Sequence, residues 1–125
     1  MAFVRTGNFV AHYDVVGQRD APVLVLGNSL GTDMHLWDAQ LSALAAHFRV
    51  LRYDMRGHGL SEAPADVDAY TIDDLAGDVL ALAEALKIER FHYCGLSIGG
   101  MVGQRLGARA PGRVRSLALC NTAMN

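Results

Sequence analysis

The chain has 125 residues, of which 51% are hydrophobic, and this is enough for the core of one domain or part of one. Its formal charge of −2 and its dispersed Lys and Arg residues exclude the basic stripe typical of nucleic-acid-binding proteins. No apolar run approaches the roughly 20 residues of a membrane-spanning helix, and the start lacks the pattern of a secretory signal peptide. We therefore expect a cytoplasmic protein with neither nucleic acid nor membrane as a partner.

The first segments predict an antiparallel hairpin, because residues 3–5 and 9–16 have strand-forming composition and are joined at Thr6-Gly7-Asn8. The run at residues 23–26 is apolar throughout, which is typical of a strand buried on both faces of a parallel sheet.

Helices and strands alternate along the rest of the chain. The predicted elements are a helix from about residue 36 to 48, a strand at 50–53, a loop at 54–68, a helix that begins after Thr71, a strand at 91–94, a helix at 98–110 and a strand at 114–120. This alternation predicts an α/β fold with flanking helices and a mostly parallel sheet.

Two side-chain expectations follow from this pattern. The helix after Thr71 has an apolar stripe, and its acidic residues are expected to face water; they are Asp73, Asp74, Asp78 and Glu84. Cys94 and Cys120 lie in apolar, strand-like segments, so both are expected to be buried free thiols.

The segment at residues 95–99, Gly-Leu-Ser-Ile-Gly, matches the G-x-S-x-G pattern of a nucleophile elbow. In an elbow the serine occupies a tight turn between a strand and a helix, so the flanking residues, here Gly95 and Gly99, must be small. A strand is predicted directly before the segment and a helix directly after it. Ser97 is therefore the candidate nucleophile, and the amide of Ile98 at the helix N-terminus could hold an oxyanion.

A second match to the pattern, Gly-Asn-Ser-Leu-Gly, occurs at residues 27–31. Turn-forming residues follow it, so the next helix begins too late for a tight elbow. We interpret this segment as a loop whose Leu30 amide completes the oxyanion hole with that of Ile98, and Ser29 remains the alternative nucleophile.

Other ligand sites are disfavoured by the sequence. A dinucleotide site would need glycines at residues 96 and 97 and an acidic residue near the end of the next strand, and neither is present. A P-loop would need Gly-Lys-Ser or Gly-Lys-Thr, and the sequence contains neither. The histidines are too scattered for a metal site and are expected to be surface or hydrogen-bonded interior residues; they are His12, His35, His47 and His92. His58, in a glycine-containing loop, is expected to have a structural role.

Three segments together closely resemble bacterial 3-oxoadipate enol-lactonases, which are α/β-hydrolases. They are Asn28–Asp33 with Trp37-Asp38, Tyr53–Pro64, and Cys94–Gln104. The resemblance runs from about residue 9 to 125, and Asn28-Ser29 is its most particular feature. It implies a cytoplasmic bacterial enzyme without a cofactor, whose partner is a small-molecule lactone and whose Ser97 attacks the lactone carbonyl.

In α/β-hydrolases an Asp or Glu and then a His follow the nucleophile along the chain, after later strands. Neither is expected within these 125 residues, which we assign to the N-terminal half of one such domain, before the lid and the last strands. We expect the C-terminal remainder of the same protein to be a partner, to cover the apolar strand at residues 114–120 and to supply the missing groups. The 125 residues alone should be nearly inert.

Other functions remain open at this stage. The resemblance is also compatible with another hydrolase of this fold, such as a carboxylesterase or a C–C bond hydrolase, or with a non-catalytic protein on the same scaffold. A carboxylate substrate needs a cation or donor. Arg56 and Arg105 are present, and Arg105 is expected to lie on a solvated helix face.

Overall fold

The computed structural model describes residues 1–123, which form one mixed sheet of six strands. The strands are β1 (Ala2–Arg5), β2 (Val10–Val16), β3 (Val23–Gly27), β4 (Arg49–Tyr53), β5 (Phe91–Leu96) and β6 (Val114–Cys120). Their order across the sheet is β1-β2-β4-β3-β5-β6. β2 pairs antiparallel with β1 and β4, whereas the pairs β4-β3, β3-β5 and β5-β6 are parallel. The predicted hairpin and mostly parallel sheet are therefore confirmed.

The helices are α1 (Asp38–Ala45), α2 (Ile72–Ala85) and α3 (Ile98–Arg109). The prediction for the first helix was too long, because a 3-10 turn at Met34–Trp37 precedes α1 and the helix ends before Phe48. The Asp33 carboxylate caps this turn by accepting the His35 N–H at 2.9 Å. Phe48 still packs on the core, and its contact with the core accounts for the longer apolar pattern.

Apolar side chains cover both faces of the sheet. On one face Val25, Leu51 and Tyr93 form a core with residues of α2 and α3, including Val79 and Leu106. On the other face a smaller cluster joins alternate residues of β3 and β4 to the α1 side; its members are Leu24, Leu26 and Val50, with Trp37, Leu41 and Leu44 packed against them. Burial on both faces explains the uninterrupted apolar sequence of β3.

The start of α2 is as predicted. The Thr71 hydroxyl accepts the Asp74 N–H at 3.1 Å, and the Asp74 carboxylate accepts the Thr71 N–H at 3.1 Å. The expectation that Asp78 faces water is wrong, since it is 1% exposed and both its oxygens accept N–H groups of Arg56 at 2.6 Å. Arg56 lies in a loop outside the helix, so helical periodicity contains no sign of it.

The two cysteines differ in burial. Cys94 is half-buried in β5, and burial raises the pKa of its thiol to about 11. The expectation of a buried thiol is wrong for Cys120, which is exposed on β6. In the described residues β6 pairs only with β5, so one edge of the strand has no neighbour.

Candidate active site

Ser97 occupies the turn between β5 and α3. Its backbone has φ 58° and ψ −116°, a conformation that residues other than glycine rarely adopt. The residue is exposed, and within residues 1–123 its hydroxyl has no hydrogen-bond partner. The hydroxyl is thus free to react at a strained turn, between the last residue of the strand and the first of the helix.

The flanking glycines are required by close backbone approach. A Cβ on Gly95 would overlap the carbonyl oxygen of Gly99, and a Cβ on Gly99 would lie 2.6 Å from the carbonyl oxygen of Gly27. The start of α3 therefore packs directly on the ends of β5 and β3, which a side chain at either position would prevent.

Main-chain hydrogen bonds hold the strained turn. The Ser97 N–H donates to the Cys120 carbonyl at 2.9 Å, and the Ser97 carbonyl accepts the Gly100 N–H at 2.9 Å. The Thr122 hydroxyl also donates to the Ser97 carbonyl, at 2.6 Å. The buried Tyr93 hydroxyl donates to the Gly99 carbonyl at 2.7 Å. These contacts fix the peptides on both sides of Ser97.

Two amides near this turn have no acceptor among the described residues. They are the N–H groups of Ile98, at the N-terminus of α3, and of Leu30, in the loop after β3. Unpaired amide groups at a helix N-terminus favour a negatively charged ligand. The contact of Gly99 with Gly27 and Asn28 brings this loop against the start of α3, so both amides belong to one region.

The loop after β3 is held by the buried side chain of Asn28, which is 2% exposed. Its amide nitrogen donates to the Tyr53 carbonyl at 2.7 Å, and its oxygen accepts the Trp37 indole N–H at 2.9 Å. The sequence marks Asn28 only as part of a motif. Its anchoring role depends on β4 lying beside β3, which the motif does not encode.

A second buried anchor, Asp54, follows β4 and was not predicted. Its carboxylate accepts the N–H groups of Met34 at 2.9 Å and Leu60 at 3.0 Å, and it contacts His12 Nδ1 at 2.8 Å. Asp54 thus connects the 3-10 turn that contains Met34 and the loop that contains Leu60 to His12 in β2. The position of this acidic residue, directly after a buried strand, was the sequence signal that could have indicated its anchoring role.

Ser29, the alternative nucleophile, lies in an open loop. It is half-buried, and its carbonyl accepts the Thr32 hydroxyl at 2.6 Å and the Thr32 N–H at 3.3 Å. The next element is the 3-10 turn at Met34–Trp37, so Ser29 is not at a strand-to-helix elbow. Its φ is not positive, in contrast to that of Ser97.

The other candidate side chains lie apart from this turn or already have partners. Arg56 is buried against Asp78, and the hydrogen bonds that its guanidinium donates to that carboxylate raise the pKa of the guanidinium. Arg105 pairs with Asp73 at 2.6 Å on the surface of α2 and α3. Both guanidinium groups are thus already engaged by carboxylates.

The histidines fall into two environments. His12 is buried against Asp54, whereas the other four lie nearer the surface. His35 contacts Asp38, His92 contacts the Ser116 hydroxyl, His58 contacts the Gly31 amide, and His47 is exposed. Within residues 1–123 no group of three or more His, Cys, Asp or Glu side chains is arranged to hold a metal ion. None of the helices described here is long and apolar enough to cross a membrane.

Comparison with known proteins places this geometry in a family. The family model described as the alpha/beta hydrolase fold matches residues 22–125. The chain belongs to the α/β-hydrolase fold family. A solved structure, that of the enol-lactonase from Burkholderia xenovorans LB400, superposes with a TM-score of 0.93 at 52% identity, covering 98% of this chain and 47% of that one.

Curated relatives are similar over most of this α/β-hydrolase chain. 3-Oxoadipate enol-lactonase 2 of Acinetobacter baylyi is 41% identical over 112 residues, which are 90% of this chain and 41% of the relative. A proposed carbamate hydrolase of Variovorax paradoxus, RutD, is 43% identical over 112 residues, or 88% of this chain and 41% of the relative. The predicted resemblance to enol-lactonases is confirmed. The chain spans about two fifths of the length of these curated relatives.

Proposed function

We propose that this chain is the nucleophile-bearing part of a longer serine hydrolase that opens the lactone ring of 3-oxoadipate enol-lactone to give 3-oxoadipate. Such a reaction belongs to the β-ketoadipate pathway of aromatic catabolism. The observation that carries the proposal is the exposed Ser97 hydroxyl at a strained strand-to-helix turn, beside two unpaired amides. The similarity to enol-lactonases supports the substrate class.

In the proposed reaction, the Ser97 oxygen attacks the lactone carbonyl carbon while its proton passes to a base. The N–H groups of Leu30 and Ile98 stabilise the oxyanion of the tetrahedral intermediate. When the intermediate collapses, the bond from the carbonyl carbon to the ring oxygen breaks, the ring oxygen takes the proton from the base, and the released enol tautomerises to the ketone. Water then attacks the acyl-enzyme, which frees the second carboxylate and restores Ser97.

The base and its orienting acid are proposed to come from a segment that follows residue 125, in the order typical of the family. Among the described residues the Ser97 hydroxyl has no hydrogen-bond partner. A serine without a base is a weak nucleophile. The 125-residue chain alone should therefore have little activity, and the C-terminal segment is its proposed partner.

Carbamate hydrolysis is a second candidate, because proteins named RutD are 35% to 43% identical to this chain. The same nucleophile and the same pair of amides would serve either acyl group, since both reactions form a tetrahedral oxyanion. The choice between them depends on groups that contact the rest of the substrate.

The test uses the full-length protein with Ser97→Ala and Ser29→Ala as matched variants. Enol-lactone absorbance and carbamate consumption are measured separately, so that the preferred substrate is identified. Loss of a serine nucleophile is expected to lower kcat by about 10⁴-fold or more, whereas Ser29→Ala should retain activity within roughly tenfold because its hydroxyl takes no part in bond formation. Activity that survives Ser97→Ala and disappears in Ser29→Ala would exchange the two assignments.

A further inference from the structure

His58 lies beside the loop that carries Leu30. It occupies the turn after β4, between two glycines that both have positive φ, Gly57 at 80° and Gly59 at 51°. Its Nε2 atom is 2.9 Å from the Gly31 amide nitrogen, and its Nδ1 atom is 3.1 Å from the Arg56 carbonyl oxygen. The ring thus bridges two loops at the carboxyl edge of the sheet.

These two contacts define the protonation state of the ring. The Arg56 carbonyl can only accept a hydrogen bond, so Nδ1 must carry the proton. The Gly31 amide can only donate, so Nε2 must have a free lone pair. Only the neutral imidazole with its proton on Nδ1 satisfies both. In this arrangement Nε2 is occupied and cannot also accept the proton of Ser97.

The contact with Gly31 adds a restraint that the loop otherwise lacks. Thr32 closes a turn on the Ser29 carbonyl, which leaves two amides inside that turn, those of Leu30 and Gly31. The Nε2 atom of His58 accepts the hydrogen bond of the Gly31 N–H, whereas the Leu30 N–H has no acceptor in the described residues. Leu30 itself is 70% exposed, so side-chain packing gives this residue little support.

We propose that His58 is a positioning residue for the oxyanion hole: as a neutral acceptor it holds the Gly31 amide and so fixes the adjacent Leu30 amide for the reaction at Ser97. This inference rests on the proposed function. An amide that is misplaced by a loosened loop stabilises the transition state less but leaves ground-state binding largely unchanged. The expected signature is therefore a change in kcat rather than in KM.

The test compares His58→Ala with His47→Ala in the full-length protein. His47 is exposed, and its side chain has no hydrogen bond within residues 1–123, so its removal is the control. Loss of one oxyanion donor costs roughly 10²–10³ in kcat, and loss of its support should cost about 10- to 100-fold with KM changed less than about threefold. His58→Gln, whose side-chain oxygen can replace Nε2, should recover most of the loss.

Two further measurements keep the outcomes separate. The ¹⁵N shifts of His58 should report the neutral Nδ1–H tautomer even if His58→Ala fails to fold, and an imidazolium or Nε2–H form would overturn the inference. Ser97→Ala is assayed in parallel. If it is inactive while His58→Ala is fully active, only the role of His58 fails; if Ser97→Ala is fully active, the proposed function fails and the role of His58 fails with it.

Discussion

The two G-x-S-x-G segments of this chain have different backbones. At residues 95–99 the serine has positive φ and stands between a strand and a helix, whereas at residues 27–31 the serine lies in a loop before a 3-10 turn. The pattern alone does not determine the turn. What separates the segments is the residue that follows each one, because Gly100 continues a helix and Thr32 closes a turn on Ser29.

The two segments are also held in different ways. The elbow at Ser97 is fixed mainly by main-chain hydrogen bonds and by direct contact between glycine backbones. The loop of Ser29 is fixed by side-chain hydrogen bonds: its own Asn28 donates to the Tyr53 carbonyl, and Asp54 and His58 accept the amides of Met34 and Gly31. Side-chain substitutions should therefore disturb the loop more than the elbow, and glycine substitutions should do the reverse.

The largest effect is expected for Asp54→Ala. The substitution leaves the buried Met34 amide, the buried His12 ring and the part-buried Leu60 amide without their acceptor. Each unsatisfied buried donor costs about 1–3 kcal/mol, so the free energy of unfolding should fall by roughly 3–5 kcal/mol. Urea unfolding of the full-length protein measures this fall.

Asp54→Asn is the control for that experiment, because it retains one acceptor oxygen and the same volume. It should lose less stability than Asp54→Ala. Equal losses for both variants would contradict this expectation, because they would mean that the retained volume and the single acceptor oxygen contribute nothing and that both carboxylate oxygens are required.

The next comparison uses the last glycine of each segment. Gly99→Ala places a Cβ 2.6 Å from the Gly27 backbone, whereas Gly31 has open space but a φ of 77°. Overpacking against fixed backbone should lower the free energy of unfolding by about 3 kcal/mol, and positive φ alone by about 1–2 kcal/mol. Thermal or urea unfolding measures both, and a larger loss for Gly31→Ala would contradict the proposed difference.

The elbow could be predicted from sequence because all its determinants are adjacent along the chain. An apolar strand, small residues around a serine and a helix follow one another from residue 91 to 110. The hairpin, the buried strands and the Thr71 cap were predictable for the same reason, since each is marked by a pattern of a few residues that are close together in sequence.

The supports of the loop could not be predicted in this way. Asn28 reaches Tyr53, and Arg56 reaches Asp78, across different elements that meet only after the sheet has formed. The helical periodicity of α2 therefore predicted that Asp78 faces water, although its ion pair with Arg56 lies in the interior. The exposure of Cys120 likewise depends on which strand lies beside β6, and an apolar run does not encode that.

Asn28→Ala should have a smaller effect than Asp54→Ala or Gly99→Ala. It removes the acceptor of the Trp37 indole N–H and a donor to the Tyr53 carbonyl, which should cost about 2 kcal/mol. It should also lower kcat, because the loop that carries Leu30 loses its anchor to β4. A double-mutant cycle with Trp37→Phe isolates the indole contact, and a coupling energy near zero would show that this contact does not hold the loop.

The smallest effect is expected at the elbow itself, for Thr122→Val. This nearly isosteric change removes the hydroxyl that donates to the Ser97 carbonyl at 2.6 Å, but that carbonyl still accepts from Gly100 at 2.9 Å and Met101 at 3.3 Å. Because no buried group is left unpaired, the loss of stability should be about 0.5–1 kcal/mol. The kcat of the full-length protein should change less than about threefold, since the main chain still holds Ser97. A Thr122→Val effect on kcat larger than that of Asn28→Ala would mean that the turn at Ser97, like the loop of Ser29, depends on side-chain support.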